Sequence, residues 1–528
     1  MDDKVPVDAP NSSPSSATAV LAPVDDLFSP ADLSQMAALG IAPGEALRQI
    51  ELFRNPPPYT RVLRPCRIGD GIRTLPKEAE PWLLARFEEA VRRGRVAKFV
   101  PASGAATRMF KELLADLNDG AQGEPPAEVR TFLENLRSFA FFEDLAEAMA
   151  RNGLDVADVA DKDRKAILEH LLTEKGLDYA ELPKGLLKFH RYPDGPRTPL
   201  EEHLVEAADY TRDAGGDCRL HFTVSPQHQE RFDELLAEVR GHYEEKYGCR
   251  FVVSFSHQQP STDTIAVDPG NRPFRQEDGT LLFRPGGHGS LIDNLASLAG
   301  MGWDLVLLKN IDNVVPDGRK PVVNGWKKAL AGHLLNLQER IFRYLDRLEA
   351  GEGGEAVLDE AAKLVEKELS RPIPAGLQGE ERRRFLIEAL ERPLRVCGVV
   401  RNQGEPGGGP FWVEDGCGQV SLQIVESSQI DPKIRQEILA GSTHFNPVDI
   451  VCAIRDRHGA PYDLQRFVDP STVFISSKSH EGKPLKALER PGLWNGAMAG
   501  WNTVFIEVPD ETFAPVKTVL DLLRPEHR

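Results

Sequence analysis

The sequence predicts an α/β fold in which a mixed, mainly parallel sheet is flanked by helices and interrupted by helical insertions. From residue 96 onward, short apolar runs alternate with amphipathic helical patterns, which is typical of strand–helix–strand units. The first apolar run ends in a loop of small residues, as expected where a parallel strand leads into a helix. With 528 residues, the chain can bury a large core, as two or three domains or as one elaborated domain.

The individual elements follow from the spacing of apolar residues along the chain. In the first half, the predicted strands are 96–100, 218–224, 250–256 and 304–309, with helices near 228–244 and 290–300. In the second half, the predicted strands are 395–401, 419–425, 448–454 and 472–476. The glycine-rich run 404–409 predicts a hairpin loop, because no helix follows it.

Composition and helical blocks divide the chain into six predicted segments. Residues 1–26 are rich in Pro, Ser, Ala and Asp and predict a disordered tail. Helical patterns beginning at Ser29 and over 79–94 predict a helical cap. This cap spans 27–95. The remaining four predicted segments are an α/β core over 96–324 with a helical insertion at 112–181, a helical segment at 325–392, a second half of the core at 393–508, and a helix or tail at 509–528.

Charge and cysteine usage exclude several classes of function. A net charge of -17 argues against a nucleic-acid surface, which needs clustered Lys and Arg. The six cysteines form no Cys-x-x-Cys pair, so neither a zinc knuckle nor a disulfide framework is predicted. No signal-peptide pattern and no apolar run of about 20 residues is present. We therefore expect a soluble cytoplasmic protein with no nucleic-acid or membrane partner.

Two separate pieces of sequence point to a phosphate site. Lys98–Met109 is an apolar run followed by small residues and Arg108, and Leu182–Phe189 places Lys184 on a proline-stiffened turn. Backbone N–H groups of a small-residue loop can face a phosphate, and Arg and Lys side chains stabilise its charge. Together the two pieces suit the binding of a nucleoside triphosphate.

Four further patterns suggest chemistry in combination, although each alone also fits an ordinary turn, cap or polar surface. They are the glycine-rich run Arg284–Leu291, the segment Lys309–Asn313 after an apolar strand, the segment Phe445–Ile450, and Gln258–Gln259. A carboxylate at the carboxyl edge of a sheet, such as Asp312, suits Mg²⁺ that is held together with substrate phosphates.

In their order, these patterns resemble those of UDP-sugar and UDP-N-acetylhexosamine pyrophosphorylases, a family of nucleotidyltransferases. Ser103–Met109 resembles the family's G-G-x-G-T-R-[ML] loop, and Pro183–Leu187 its P-K-[AG]-L-L-P segment, here separated by the helical insertion. The further matching segments are Phe255–Gln259 (F-x-Q), Arg284–Ser290 (P-P-G-H-G-D), Lys309–Asn313 (S-N-x-D-N), Ile424–Ile430 (V-E-Y-S-E-L) and Phe445–Ile450 (F-N-x-x-N-I). With its insertion, the chain resembles a bacterial branch of such proteins.

The resemblance implies a GT-A-like fold, Mg²⁺ as cofactor, and transfer of a nucleoside monophosphate from an NTP, with UTP expected, to a sugar 1-phosphate with release of pyrophosphate. No general base is needed, because the sugar phosphate is already ionised. The implied catalytic residues are Arg108 and Lys184, and the implied metal ligands are Asp312 and Asp449. The implied nucleotide-binding residues are Ser103, Gly104, Ala105, Thr107, Gln259, Gly287 and His288. The implied sugar-phosphate residues, all in the second half of the core, are Glu426, Asn446 and Lys478.

Departures from the family pattern keep a second hypothesis open. Ser103 and Ala106 stand where glycines are usual, Asp449 where an Asn is usual, and Ser290 where an acid is usual. A catalytically inactive nucleotide-sugar sensor or scaffold is therefore the alternative to an active transferase. The insertion is expected either to act as a lid that sets specificity or to be an inert stabilising subdomain.

Overall fold

The computed structural model of the protein describes residues 27–156, 163–404 and 408–528. The helices in these ranges are α1 (Pro30–Leu39), α2 (Pro43–Arg54), α3 (Glu80–Arg92), α4 (Lys111–Asn118), α5 (Ala127–Glu134), α6 (Phe142–Arg151), α7 (Arg164–Leu172), α8 (Pro199–Tyr210), α9 (Gln229–Tyr247), α10 (Leu291–Gly300), α11 (Lys320–Glu349), α12 (Gly354–Lys363), α13 (Gly379–Leu390) and α14 (Pro432–Ala440).

The strands are β1 (Arg61–Pro65), β2 (Arg67–Ile68), β3 (Gly71–Arg73), β4 (Val96–Pro101), β5 (His190–Tyr192), β6 (Gly195–Arg197), β7 (Asp217–Thr223), β8 (Arg250–Ser256), β9 (Thr264–Ile265), β10 (Phe283–Arg284), β11 (Leu305–Lys309), β12 (Leu394–Arg401), β13 (Gly408–Glu414), β14 (Val420–Glu426), β15 (His444–Ala453), β16 (Phe474–His480), β17 (Lys483–Glu489) and β18 (Asn502–Glu507). Short 3₁₀ turns lie at Ala106–Arg108, Lys184–Leu186, His288–Ser290 and Val519–Leu523.

Nine strands form one mixed sheet in the order β2-β3-β18-β12-β15-β11-β4-β7-β8. Six neighbouring pairs are parallel, and β15 is antiparallel to both of its neighbours, β11 and β12. Strands β1, β13 and β14 form a separate antiparallel sheet. The predicted mixed, mainly parallel sheet is confirmed.

Helices cover both faces of the large sheet because successive side chains of its strands point to opposite faces. In β11, Leu305 and Leu307 belong to a core shared with α3 and α11. The intervening Val306 and Leu308 belong to a second core shared with α10. The apolar runs predicted as strands are thus buried on both sides, as is usual for parallel sheets.

Most of the predicted elements are found. The four strands predicted in the first half are β4, β7, β8 and β11, and three of those predicted in the second half are β12, β14 and β15. The run at 472–476 contributes only the start of β16. The other strands were not predicted, among them β13 and β18, and β18 is an interior strand of the large sheet. The predicted tail 1–26 and residues 405–407 of the glycine-rich run lie outside the described residues.

The chain divides into two compact units. The smaller unit contains the described residues up to Pro57 together with Pro260–Pro285 and Ile475–Leu488, and the larger unit contains the rest. In the smaller unit, Ser29 caps α1 in a reciprocal pair with Asp32. The large sheet and the helical insertion both belong to the larger unit.

The insertion, which includes α4 to α7, has an apolar core of its own. Within this core, Phe139 stacks on Phe141 and lies tilted against Phe132. Ala106 and Met109 of the loop after β4 belong to it as well, as do Val516 and Val519 near the other end of the chain. The insertion is therefore packed onto the loop that it follows in sequence. No helix among the described residues is both long enough and apolar enough to cross a bilayer.

Candidate functional site

The loop after β4 has the exposed backbone that the sequence predicts. The Ala102 N–H donates to the Thr223 carbonyl (2.8 Å), which ties the loop to the end of β7. Ser103, Gly104 and Ala105 are exposed, and a 3₁₀ turn over Ala106–Arg108 follows. The small side chains leave the backbone open to a ligand.

The structure brings together the two separated pieces of the predicted phosphate site. Ala105 and Pro183 form an antiparallel bridge, and the Ala106 N–H donates to the Leu182 carbonyl (2.9 Å). Thr107 Oγ1 donates to the carbonyl of Ala180, 73 positions away in sequence (3.2 Å). The 3₁₀ turns that carry Arg108 and Lys184 are therefore held side by side by backbone contacts.

Lys184 and Asp312 form an ion pair at the carboxyl edge of the sheet. Lys184 Nζ donates to Asp312 Oδ2 (2.7 Å) and to the Val516 carbonyl (2.6 Å). Their side chains are 15% and 18% exposed, so both are partly open to solvent. Asp312 follows β11, next to the loop after β4, because β11 and β4 are parallel neighbours. The Arg108 side chain is exposed on its turn.

The turn around His288 is shaped by glycines. Gly287 has φ +76°, and a Cβ on Gly289 would lie 2.1 Å from the Pro491 carbonyl oxygen. The His288 ring stacks on Trp494 with their centroids 4.4 Å apart, and His288 Nδ1 accepts a hydrogen bond from the Leu493 N–H (3.0 Å).

His288 also lies near one of the residues predicted to bind sugar. His288 Nε2 lies 3.9 Å from Glu426 Oε1. Burial lowers the pKa of His288, although Glu426 partly opposes this effect. The structure thus joins a predicted nucleotide-binding residue to a predicted sugar-binding residue at one polar and aromatic surface. Sequence reasoning missed Trp494; its signal was an aromatic residue between glycines in Gly492–Gly496.

A buried polar chain supports the loop that carries Gln259. His221 shares hydrogen bonds with Ser254 Oγ (2.8 Å) and Ser256 Oγ (2.7 Å). Asn294 Nδ2 donates to Ser256 Oγ (2.7 Å) and to the His257 carbonyl (2.9 Å). Burial lowers the pKa of His221 to about 4, so the ring is neutral near pH 7. The chain fixes the end of β8, from which the Gln259 loop departs.

Asn446 and Asp449 lie within the sheet, with partners of their own. Asn446 Nδ2 donates to the Gly398 carbonyl (3.1 Å), and the residue is 2% exposed. Asp449 is fully buried and pairs with Lys327, which also donates to the Leu308 carbonyl. The two predicted metal ligands thus have different partners, Lys184 for Asp312 and Lys327 for Asp449. Among the described residues, no group of three or more His, Cys, Asp or Glu side chains is placed to hold a metal ion.

A buried ionic network lies beneath the Asp312 loop. Glu206 accepts hydrogen bonds from Lys98 Nζ (2.7 Å) and Lys309 Nζ (2.8 Å), and all three side chains are buried. His203 Nε2 lies 3.2 Å from the Ile311 carbonyl. The two lysines hold the pKa of Glu206 well below its usual range, and burial lowers the pKa of Lys98 to about 7. Sequence reasoning missed this network; its signal was a lysine within each of two apolar strands.

Lys478 belongs to the smaller unit. It lies on β16 and is exposed.

The comparisons with known proteins identify the family. The model of a domain of unknown function, DUF4301, matches residues 29–528. The chain belongs to this family. No curated protein matches the sequence.

Solved structures similar to this chain include UDP-sugar pyrophosphorylases, the enzymes whose motifs it resembles. A UDP-glucose phosphorylase from Trypanosoma brucei is 14% identical, with 93% of this chain and 77% of that chain covered and a TM-score of 0.44. A UDP-N-acetylglucosamine pyrophosphorylase from the same organism is 12% identical, with 94% and 79% covered and a TM-score of 0.48. A variant of UDP-glucose pyrophosphorylase from Leishmania major is 12% identical, with 93% and 77% covered and a TM-score of 0.45.

Proposed function

We propose that the protein is a nucleotidyltransferase with a GT-A-like fold. It transfers a nucleoside monophosphate from an NTP, with UTP expected, to a sugar 1-phosphate and releases pyrophosphate. One observation carries the proposal: the loop with Arg108 and the turn with Lys184 are hydrogen-bonded to each other, and Lys184 lies 2.7 Å from Asp312. The residues that the sequence predicts to bind a triphosphate are thus neighbours in the fold.

The reaction requires the protein mainly to position two anions and to stabilise charge. The backbone N–H groups of the exposed residues 103–105 and the Arg108 guanidinium hold the triphosphate, and Lys184 neutralises charge that builds on the α-phosphate. The sugar phosphate oxygen attacks the α-phosphorus as pyrophosphate leaves. The attacking group is already ionised, so the site needs no general base.

Asp312 fits a magnesium site better than Asp449 does. Mg²⁺ in phosphoryl-transfer sites is held by one or two carboxylates together with substrate phosphates, and Asp312 is a partly exposed carboxylate beside the proposed phosphate loop. Asp449 is fully buried against Lys327, which leaves no room for an ion shared with phosphates. When bound, Mg²⁺ would neutralise charge on the phosphates. We therefore retain Asp312 alone as the proposed ligand.

The surface formed by His288, Trp494 and Glu426 suits a base and a sugar. Aromatic stacking is available to any base, and Gln259 follows the supported end of β8, where an amide can read a base edge. A carboxylate such as Glu426 accepts hydrogen bonds from sugar hydroxyls. Asn446 is 2% exposed and donates to the Gly398 carbonyl, whereas the Glu426 side chain is 38% exposed. Glu426 is therefore the stronger candidate for contact with the sugar.

The test is pyrophosphate release with a panel of NTPs and hexose 1-phosphates in the presence of Mg²⁺. We expect Lys184→Met to lower turnover by about 100-fold or more, the scale seen when one preorganised charge-stabilising group is removed. The matched control is Lys188→Met, because Lys188 forms a partly exposed ion pair with Asp144. We expect a change in turnover within about twofold.

A sensor or scaffold is the second candidate. It is favoured because the Lys184 ammonium already donates hydrogen bonds to Asp312 and to the Val516 carbonyl. Tight nucleotide binding without turnover for any substrate pair would support it. If the protein neither binds a nucleotide nor turns over any substrate pair, both proposals are refuted.

A further inference from the structure

The segment 512–519 touches the phosphate site at several places, each time through its backbone. The Val516 carbonyl accepts a hydrogen bond from Lys184 Nζ (2.6 Å). The Val516 N–H donates to the Asp312 carbonyl (3.1 Å), and the Val519 N–H donates to the Met109 carbonyl (3.1 Å). One short stretch of chain therefore contacts the loop after β4, the Lys184 turn and the Asp312 loop.

Further contacts fix the segment itself. The Ala514 N–H donates to Asn313 Oδ1 (2.9 Å), and Pro515 forms an antiparallel bridge with Asn313. The side chains of Val516 and Val519 are buried in the core of the helical insertion. The segment is thus anchored on one side by the Asp312 loop and on the other by the insertion.

We infer that residues 512–519 are a positioning element of the proposed transferase site, which holds Arg108, Lys184 and Asp312 in register through backbone hydrogen bonds. This inference rests on the proposed function. A lysine ammonium on a four-carbon side chain has many rotamers, and a carbonyl at 2.6 Å restricts them. Arg108 precedes Met109, so the bond from Val519 to Met109 restrains the 3₁₀ turn that presents the guanidinium. Such restraint before the substrate binds is what catalysis by positioning requires.

A proline at Val519 tests the backbone bond separately from the side chain. Val519 is the first residue of its 3₁₀ turn, where proline fits, and Thr518 before it has the extended backbone (ψ 161°) that proline requires. Val519→Pro removes the N–H that donates to Met109. The reference is Val519→Ala, which also shortens the buried side chain but keeps that N–H.

We expect Val519→Pro to have a kcat about fivefold to tenfold below that of Val519→Ala, the equivalent of about one hydrogen bond. We expect equal KM values for the sugar phosphate. The denaturation midpoints should differ by no more than the loss of one hydrogen bond, part of which is offset because proline lowers the entropy of the unfolded chain. A merely structural role would change only the midpoint and leave the kcat of the two folded variants the same. Val516→Pro against Val516→Ala repeats the comparison for the bond to Asp312, should Val519→Pro fail to fold.

Amide hydrogen exchange gives a second readout that needs no turnover. The Met109 N–H donates to the Ala106 carbonyl (2.7 Å), so a loosened turn exchanges it faster. We expect faster exchange at Met109 in Val519→Pro than in Val519→Ala, with equal exchange in strand β7. An inactive wild-type protein would refute the proposed function while exchange still decides whether the segment restrains the loop. Equal exchange and equal kcat within both variant pairs would overturn the positioning role.

Discussion

Adding one methyl group at Gly289 should disturb the turn that presents His288. An alanine Cβ at this position would lie 2.1 Å from the Pro491 carbonyl oxygen, whereas carbon and carbonyl oxygen in contact lie about 3.3 Å apart or more. One of the two backbones must therefore move by about 1 Å. That movement acts on the His288–Trp494 stack and on the hydrogen bond between Leu493 and His288.

The expected loss of stability follows from these two effects. Overpacking of a buried site costs about 1–3 kcal/mol, and loss of one hydrogen bond costs about 1 kcal/mol. We therefore expect Gly289→Ala to lower the free energy of unfolding by about 2–4 kcal/mol. Urea denaturation measures this, and binding of UTP to the folded variant, followed by calorimetry, measures the effect on the proposed base surface.

The matched control is Gly300→Ala at the end of α10. A Cβ there would meet no atom within 4 Å, and alanine is the better helix former by about 1 kcal/mol. We expect Gly300→Ala to be as stable as the wild type or slightly more stable. If Gly289→Ala proves as stable as Gly300→Ala and binds UTP equally well, the close approach of Pro491 does not constrain the turn and the reasoning is refuted.

Two further predictions concern the buried polar groups. Glu206→Gln leaves Lys98 and Lys309 without their shared carboxylate, so we expect a loss of about 3–5 kcal/mol in urea denaturation; the exposed Glu230→Gln is the control, and equal midpoints for the two variants would contradict the expectation. Since His221 has a folded-state pKa of about 4 against 6.5 in the unfolded chain, its protonation favours unfolding as pH falls from 6.5 to 4. Over this range we expect the free energy of unfolding to fall by about 3 kcal/mol more in the wild type than in His221→Gln. If the free energies of unfolding of the two proteins change in parallel with pH, the ring is not buried and neutral.

Much of the fold could be predicted from the sequence, because the pattern of burial is local. In β11, four consecutive apolar residues, Leu305 to Leu308, predict a strand buried on both faces, and both cores are found. The strand β18 was missed, although its apolar residues Val504 to Ile506 are fully buried. The polar residues at both of its ends weakened the apolar signal.

The candidate site could be predicted only in part. The loop of small residues after β4 and the turn with Lys184 can each be recognised from a few consecutive residues, so the sequence predicts both. Asp449 was expected at the metal on resemblance alone. Its strand runs antiparallel to β11 and sets it opposite Lys309, and its side chain pairs with Lys327 of α11. The residues around Asp449 in sequence do not predict its pairing with Lys327, which lies on a distant helix.

By itself, the sequence determined the class of fold, the long buried strands of the first half of the core and the residues of the two loops that we propose bind phosphate. Each of these depends on the order of neighbouring residues. Only the tertiary structure decided that Thr107 meets Ala180 across 73 positions, that Lys184 meets Asp312 across 128, and that Val516 joins Lys184 across 332. Such pairs are set by strand order and by the packing of the insertion, which no local periodicity encodes.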